Sequence, residues 1–254
     1  MKNHETQNGR GVMLVTGATS GFGKALAYQA AAAGFELILT GRRADRLEVV
    51  ANDLGEAVRK TLCFDVRDRE KTAEALQSVE ERDVPSILVN NAGLAVGKEP
   101  IDSGVYDDWD RMIDTNVKGL LNVTRELTPR MKPGSRIINI GSVAGRQPYP
   151  GGAVYNASKF AVDGLTHAMR MDLLPRGIQV AQVAPGAAET EFSLVRFKGD
   201  EPAARAVYNG FTPLSADDVA DSVIYIATRP DHVSIQDILI MPAAQASAYH
   251  FNRS

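Results

Sequence analysis

The strongest constraint in this sequence is an alternation of two periods. Short runs dense in Val, Ile and Leu occur at Val12–Thr16, Glu36–Thr40, Thr61–Phe64, Ile87–Asn90, Arg136–Ile140 and Gln179–Ala184. Each leads into a longer stretch of helical period. These stretches are Gly23–Ala33, Ala44–Asp53, Arg69–Ser78, Asp107–Thr128, Ala153–Leu174 and Asp217–Thr228. Ile238–Met241 adds a seventh, edge strand. Near-continuous apolar strands are those of a parallel sheet covered on both faces. Strand–helix repetition of this kind predicts a doubly wound α/β fold.

The 254 residues fit one large domain, 1–254. Residues 1–11 read as a loose polar tail, without the basic-then-apolar pattern of a signal peptide. Glu189–Thr212 is long, polar and rich in Gly and Pro, and residues 187–212 are expected to form a lid. Residues 242–254 form a C-terminal tail. No apolar run reaches the ~18–20 residues of a membrane span. The net charge of −3 argues against a nucleic-acid partner. A cytoplasmic protein with neither membrane nor nucleic-acid partner is therefore expected. Cys63 is the single cysteine, which excludes an internal disulfide and a Cys-based zinc cage. Within Thr61-Leu62-Cys63-Phe64 it reads as a buried structural thiol. His4, His167, His232 and His250 lack metal-ligand spacing with one another, and no metal is expected. His250 is singled out because its polar-aromatic tail could close over a site, a neighbour's included.

The first strand runs into Thr16-Gly17-Ala18-Thr19-Ser20-Gly21-Phe22-Gly23, and a helix follows. Glycines there permit a tight turn and close backbone approach to a pyrophosphate, while the helix N-terminus offers free N–H groups. In dinucleotide folds, an acid after the second strand binds the ribose 2′-hydroxyl. Here the strand ends in Thr40-Gly41-Arg42-Arg43 instead. Two guanidiniums suit a 2′-phosphate, which selects NADP(H). Asp65-Val66 after the third strand is placed to flank the adenine. Asn90-Asn91-Ala92-Gly93 closes the fourth strand, at the sheet end where ligands bind.

Ser142 follows the fifth strand, and Tyr155-Asn156-Ala157-Ser158-Lys159 lies early in the next helix. Positions i and i+4 share a helix face, so Tyr155 and Lys159 point into one site. An ammonium beside the phenol would lower its pKa towards working pH.

Taken together, Thr16-Gly17-x-x-x-Gly21-x-Gly23, Asn90-Asn91-Ala92-Gly93, Asn116, Ser142, Tyr155-x-x-x-Lys159 and Pro185-Gly186 resemble the short-chain dehydrogenases/reductases over nearly the whole chain. The resemblance implies a Rossmann-type, mainly parallel seven-stranded sheet in the order 3-2-1-4-5-6-7. It implies a catalytic tetrad of Asn116, Ser142, Tyr155 and Lys159, with Tyr155 as acid or base and Asn116 holding a water in the proton relay. Cofactor contacts are expected from Gly17, Ala18, Thr19, Ser20, Gly21, Phe22, Gly23, Arg42, Arg43, Asp65, Val66, Asn91, Ala92, Gly93, Tyr155, Lys159, Pro185, Gly186, Ala188 and Thr190. A homo-oligomer, a tetramer by resemblance, is expected from the wide apolar coverage of Ala153–Leu174. Trp109 and Met112 read as core or interface.

Gly41-Arg42-Arg43, Trp109–Asn116, Pro148–Tyr155 and Glu191–Asp200 are similar to the NADP-dependent 3-hydroxy acid (serine or allo-threonine) dehydrogenases. Sulfoacetaldehyde reductases are similar too. The implied substrate is a small anionic hydroxy compound or its carbonyl partner, a 3-hydroxy acid of the serine or 3-hydroxypropionate/malonic semialdehyde type, with sulfoacetaldehyde reduced to isethionate as the alternative. Among Arg146, Arg196 and Lys198, the expected anion reader is Arg146, four residues after Ser142. Ser142, Tyr149, Tyr155 and Phe192 complete the expected substrate contacts. The reading from another class is a catalytically silent NADPH-binding regulator on the same fold.

Overall fold

The structure, a computed structural model, describes residues 10–254. The seven strands are β1 (Val12–Val15), β2 (Glu36–Gly41), β3 (Val58–Cys63), β4 (Ile87–Asn90), β5 (Arg136–Ile140), β6 (Gln179–Pro185) and β7 (Asp237–Ile240). They form one sheet in the order β3-β2-β1-β4-β5-β6-β7, and every pairing is parallel. The register brings Leu14 beside Leu88, Val89 beside Ile138 and Ile138 beside Ala181. The carboxyl ends of the central strands therefore finish along one rim, and the order reverses between β1 and β4. A crevice at that reversal is where such sheets bind ligands.

Helices cover both faces because the central strands are apolar on both. On one face α1 (Gly21–Ala32), α2 (Ala44–Leu54) and α9 (Ala216–Ala227) pack Leu26, Ala27, Leu47, Val50, Val219 and Val223 against Met13, Val15 and Val89. On the other, α3 (Arg69–Gln77), α5 (Leu120–Leu127) and α6 (Ala153–Leu173) pack Leu76, Val123, Leu127, Val162 and Met169 against Leu14, Leu88 and Ile137.

Four details depart from the sequence expectation. Along β3, the edge strand that the expected order makes it, the residues alternate between half-buried and exposed until Leu62 rather than running apolar. Cys63 is accordingly exposed rather than buried. The helical stretch 107–128 is divided: α4 (Tyr106–Ile113) opens into a wide π-type turn, Asp114–Gly119, before α5. The lid contains two short helices, α7 (Glu191–Arg196) and α8 (Glu201–Ala206). At the N-terminus, Arg10 N–H donates to Gly34 O, and Gly11 O accepts from Glu36 N–H, so this end of the expected loose tail is tied to the sheet. Residues 1–9, with His4, lie outside the described residues. No helix among the described residues is long and apolar enough to cross a membrane.

Candidate active site

The crevice begins at the turn between β1 and α1. Gly17 has φ +69°, and a Cβ there would stand 3.1 Å from the Ala92 Cα. A Cβ on Gly23 would fall 2.3 Å from Gly17 O, so only glycine lets the helix start pack onto the turn. The Asn91 amide donates to Thr16 O (2.8 Å) and to Gly17 O (3.3 Å), locking β4 to that turn. A cleft of about 250 Å³ results, lined among others by Gly17, Thr19, Ser20, Gly21, Phe22, Arg42, Arg43, Val66, Asn91, Ala92, Gly93, Tyr155, Lys159 and Thr190. Arg43 reaches back across it and donates to Thr19 Oγ1 (2.9 Å) and Ser20 Oγ (2.8 Å). Ala18 is fully buried and contributes backbone, its N–H donating to Thr40 O. Pro185, Gly186 and Ala188 line the adjoining cavity.

One expected contact turns elsewhere. The Asp65 carboxylate accepts from Arg67 (2.7 Å) and from Arg42 (3.4 Å), and these two cations hold it below the usual carboxylate range against its burial. Phe64 and Val66, not Asp65, face the cleft. The spacing missed Arg46 and Glu191. Glu191, on the lid, pairs with both Arg43 (3.3 Å) and Arg46 (2.8 Å). The signal for Arg46 was its position one helical turn after Arg43.

The acid–base group sits where β5, α6 and the lid meet. Ser142 caps the short turn Val143–Gly145, its Oγ accepting from Ala144 N–H (3.1 Å). Tyr155 and Lys159 lie one turn apart on α6 and are both buried. Lys159 Nζ donates to Ile140 O (2.9 Å) and stands 6.0 Å from the Tyr155 ring centre. Burial alone pulls its pKa down to about 8. The Tyr155 phenol is pushed well above its ordinary value by burial and by Tyr149, while the Ser142 hydroxyl and the Arg196 guanidinium pull it back. In this arrangement Ser142 and Arg196, rather than Lys159, are the groups that favour the phenolate. Asn116 lies in the π-type turn. Its Oδ1 accepts from Leu94 N–H (2.8 Å), and its Nδ2 donates to Leu94 O (2.8 Å) and Ser158 Oγ (2.9 Å). It thus clamps the backbone after β4 to α6.

Beyond Tyr155 opens a second cavity of about 540 Å³, lined by Ser142, Tyr149, Tyr155, Phe192, Arg196, Tyr208 and Gln245 among others. Phe192 packs edge-on to Tyr155 with ring centres 5.6 Å apart. Arg146 is not in this cavity. Its guanidinium is paired with Asp237 at the start of β7. Arg146, the expected substrate reader, follows the short turn after Ser142, and an acid on β7 claims its charge. Arg196 is there instead. Its Nη1 donates to the Tyr149 hydroxyl (2.7 Å), and its guanidinium carbon stands 5.1 Å from the Tyr149 ring centre and 5.8 Å from that of Tyr155. Its buried Nε has no hydrogen-bond partner among the described residues.

With this geometry in view, comparison with known proteins is direct. A family model described as short chain dehydrogenase matches residues 11–200. The chain belongs to the short chain dehydrogenase family. It is 48% identical over 249 residues to sulfoacetaldehyde reductase 2 of Chromohalobacter salexigens, covering 95% of this chain and 98% of that protein. It is 42% identical over 241 residues to serine 3-dehydrogenase of Agrobacterium fabrum, covering 94% and 96%. Among solved structures, the closed form of serine dehydrogenase complexed with NADP+ aligns with a TM-score of 0.89 at 40% identity, covering 96% of this chain and 100% of that one.

In this short chain dehydrogenase the C-terminal tail lies along its own cavity. Gln245 Oε1 accepts from Ala187 N–H (2.7 Å), Ala248 N–H donates to Gln147 Oε1 (3.1 Å), and Phe251 and Arg253 complete that wall. His250 is exposed and meets Ser247 Oγ through Nδ1 (3.1 Å). His167 and His232 are also exposed. Asp163, His167 and Asp237 bring three donor atoms within 4.8 Å of one another at the outer edge of α6, a grouping that single-residue spacing missed. Both carboxylates already have partners there, since Gln182 donates to Asp163 (2.8 Å) and Arg146 to Asp237. Met112 is buried, and Trp109 is half-buried against the same cluster as Tyr155.

Proposed function

We propose that this chain is an NADP(H)-dependent oxidoreductase that interconverts a small anionic hydroxy compound and its aldehyde. The observation that carries the reading is Arg196, a guanidinium with a free buried N–H set beside the Tyr155 ring in the cavity that also holds Ser142. A sulfonate or carboxylate one or two carbons from the reacting carbon would meet that charge. Reduction of a sulfonate-bearing aldehyde is favoured by the similarity to two sulfoacetaldehyde reductases, at 48% and 46% identity. Oxidation of serine or a related 3-hydroxy acid is the second reading, favoured by the likeness to the serine dehydrogenase structure.

The residues present fit the cofactor. Gly17 and Gly23 leave a cradle that side chains would fill, and Arg43, bonded to Thr19 and Ser20 at its rim, would meet a 2′-phosphate. When bound, NADP(H) supplies hydride transfer. Gly17, Ser20, Gly21 and the start of α1 would receive the phosphates, with Arg42, Arg43 and Arg46 nearby for the 2′-phosphate. Tyr155 Oη would give its proton to the substrate oxygen in reduction and take it back in oxidation. Ser142 Oγ would donate a hydrogen bond to that oxygen and hold it beside the phenol. Lys159 Nζ, held by Ile140 O behind Tyr155, would lie in reach of a ribose. Asn116 serves by clamping Leu94 to Ser158, which fixes α6 relative to the crevice.

The finer readings are a homotetramer acting in the cytoplasm. Exposed Phe160, Gly164 and Met171 on one side of α6 support association with a second copy, Gly164 permitting close approach. A single exposed thiol, Cys63, suits a reducing compartment.

The test is NADPH consumption with sulfoacetaldehyde, malonic semialdehyde and neutral propionaldehyde, each with wild type and Arg196→Ala. The anionic aldehydes should show the higher kcat/KM, and Arg196→Ala should remove most of that preference. Equal kcat/KM for neutral and anionic aldehydes in the wild type would sink the reading.

A further inference from the structure

The lid holds one feature that the chemistry above leaves unused. Lys198 is the only non-glycine residue at positive φ among the described residues, with φ +54°. That region favours Gly or Asn and strains a lysine. The strain closes the end of α7: Lys198 N–H donates to Val195 O (3.1 Å) and Gly199 N–H to Leu194 O (2.9 Å). The same bend directs the ammonium away from the cavity and onto α4. There Nζ lies 2.6 Å from Asp108 Oδ2 and 3.8 Å from Glu99 Oε1. The Asp108 side chain is only 9% exposed, and its Oδ2 has no other partner. One residue pair further in, Gly97 N–H donates to Arg196 O (2.9 Å), so backbone and side chain both tie this point of the lid to the segment after β4.

We infer that Lys198 and Asp108 form a latch that fixes the place of Arg196, and through it the selection of an anionic substrate. Lys198 is a positioning residue; it does not touch the substrate. The inference rests on the reading of Arg196 as the anion reader. The physical reason is local. Arg196 is the last residue of a six-residue helix, too short to hold its own orientation. Two residues on, an ammonium held by a nearly buried carboxylate supplies the missing anchor. Opening the lid would separate that pair and leave Asp108 to find water, so the closed arrangement is favoured whenever the ammonium is present.

The decisive variant is Lys198→Asn, which keeps a residue suited to positive φ and removes the charge. Asp108→Asn removes the other half of the pair. With saturating NADPH, each should raise the KM for sulfoacetaldehyde about tenfold, between the effects of exposed and buried ion pairs. The KM for propionaldehyde should change by less than about twofold. The double variant should be no worse than either single one, as for groups acting as a unit. Hydrogen exchange of residues 191–200 should be faster in Lys198→Asn than in wild type. Unchanged exchange would overturn the latch, as would additive losses in the double variant. Faster exchange with equal KM changes for both aldehydes would keep the latch but remove its role in anion selection. Failure of the Arg196 reading itself would show separately, as no loss of anion preference in Arg196→Ala.

Discussion

Lys159 is buried, and its Nζ spends a hydrogen bond on a carbonyl, Ile140 O, with no carboxylate among the causes that set its pKa. A lysine at about 8 in the fold, against the ordinary 10.5, costs stability of about 3 kcal/mol below pH 8. Between about pH 8 and 10.5 the folded chain has lost this proton and the unfolded chain still holds it, so the cost shrinks as pH rises. Above pH 10 the buried Tyr155 acts in the opposite sense, because the unfolded phenol ionises first. Lys159→Met should therefore raise the cofactor-free Tm at pH 7, and the gain over wild type should fade by pH 10; thermal melts at the two pH values check this. Tyr155→Phe should lower kcat by roughly 10²–10⁴ with NADPH affinity retained, as read by fluorescence titration. Arg43→Ala should weaken NADPH binding by roughly 10- to 100-fold and leave NADH binding nearly unchanged, through loss of charge-assisted hydrogen bonds. Arg146→Ala should leave the KM ratio of anionic to neutral aldehyde unaltered, since its guanidinium serves Asp237.

At the scale of elements, the π-type turn Asp114–Gly119 between α4 and α5 decides where Asn116 points. A continuous α-helix would carry the side chain round by a different angle; the wide turn lets it meet both backbone groups of Leu94 and the Ser158 hydroxyl. Asn116→Ala would leave the buried Leu94 N–H and C=O without these partners. It should cost about 2–4 kcal/mol in denaturant unfolding, and lower kcat because α6 and the crevice lose their clamp. Asn116 itself was legible as a motif residue, but its turn was not. The apolar residues of 107–128 recur at spacings of three and four, which a continuous helix and a helix with one wide turn both accommodate. The exposure of Cys63 was likewise hidden: Thr61-Leu62-Cys63-Phe64 is as apolar locally as a central strand, and its place at the end of the sheet leaves Cys63 uncovered.

For the whole molecule, α6 is the element through which the proposed assembly would bear on the chemistry. Its inner face carries Tyr155 and Lys159, while Phe160, Met171 and, just beyond the helix, Leu174 are exposed, the last two at 70% and 74%. Phe160→Glu should shift the protein towards smaller species in native mass spectrometry, by placing a charge in an apolar contact. Activity should fall in step if assembly steadies α6.

The doubly wound sheet, the glycine turn, the arginines after β2 and the Tyr155–Lys159 spacing were all determined by the sequence alone. Each is a local signal: a period, a turn residue, or two positions on one helix face. What only the tertiary structure decided is which of the three candidate cations faces the cavity. Arg146, Arg196 and Lys198 are alike in sequence, all arising in loops or lid at the same end of the sheet. Their partners lie far along the chain: Asp237 takes Arg146, Asp108 takes Lys198, and Tyr149 with Tyr155 receives Arg196. Charge in a folded protein is assigned by proximity after packing, and no local pattern records that proximity.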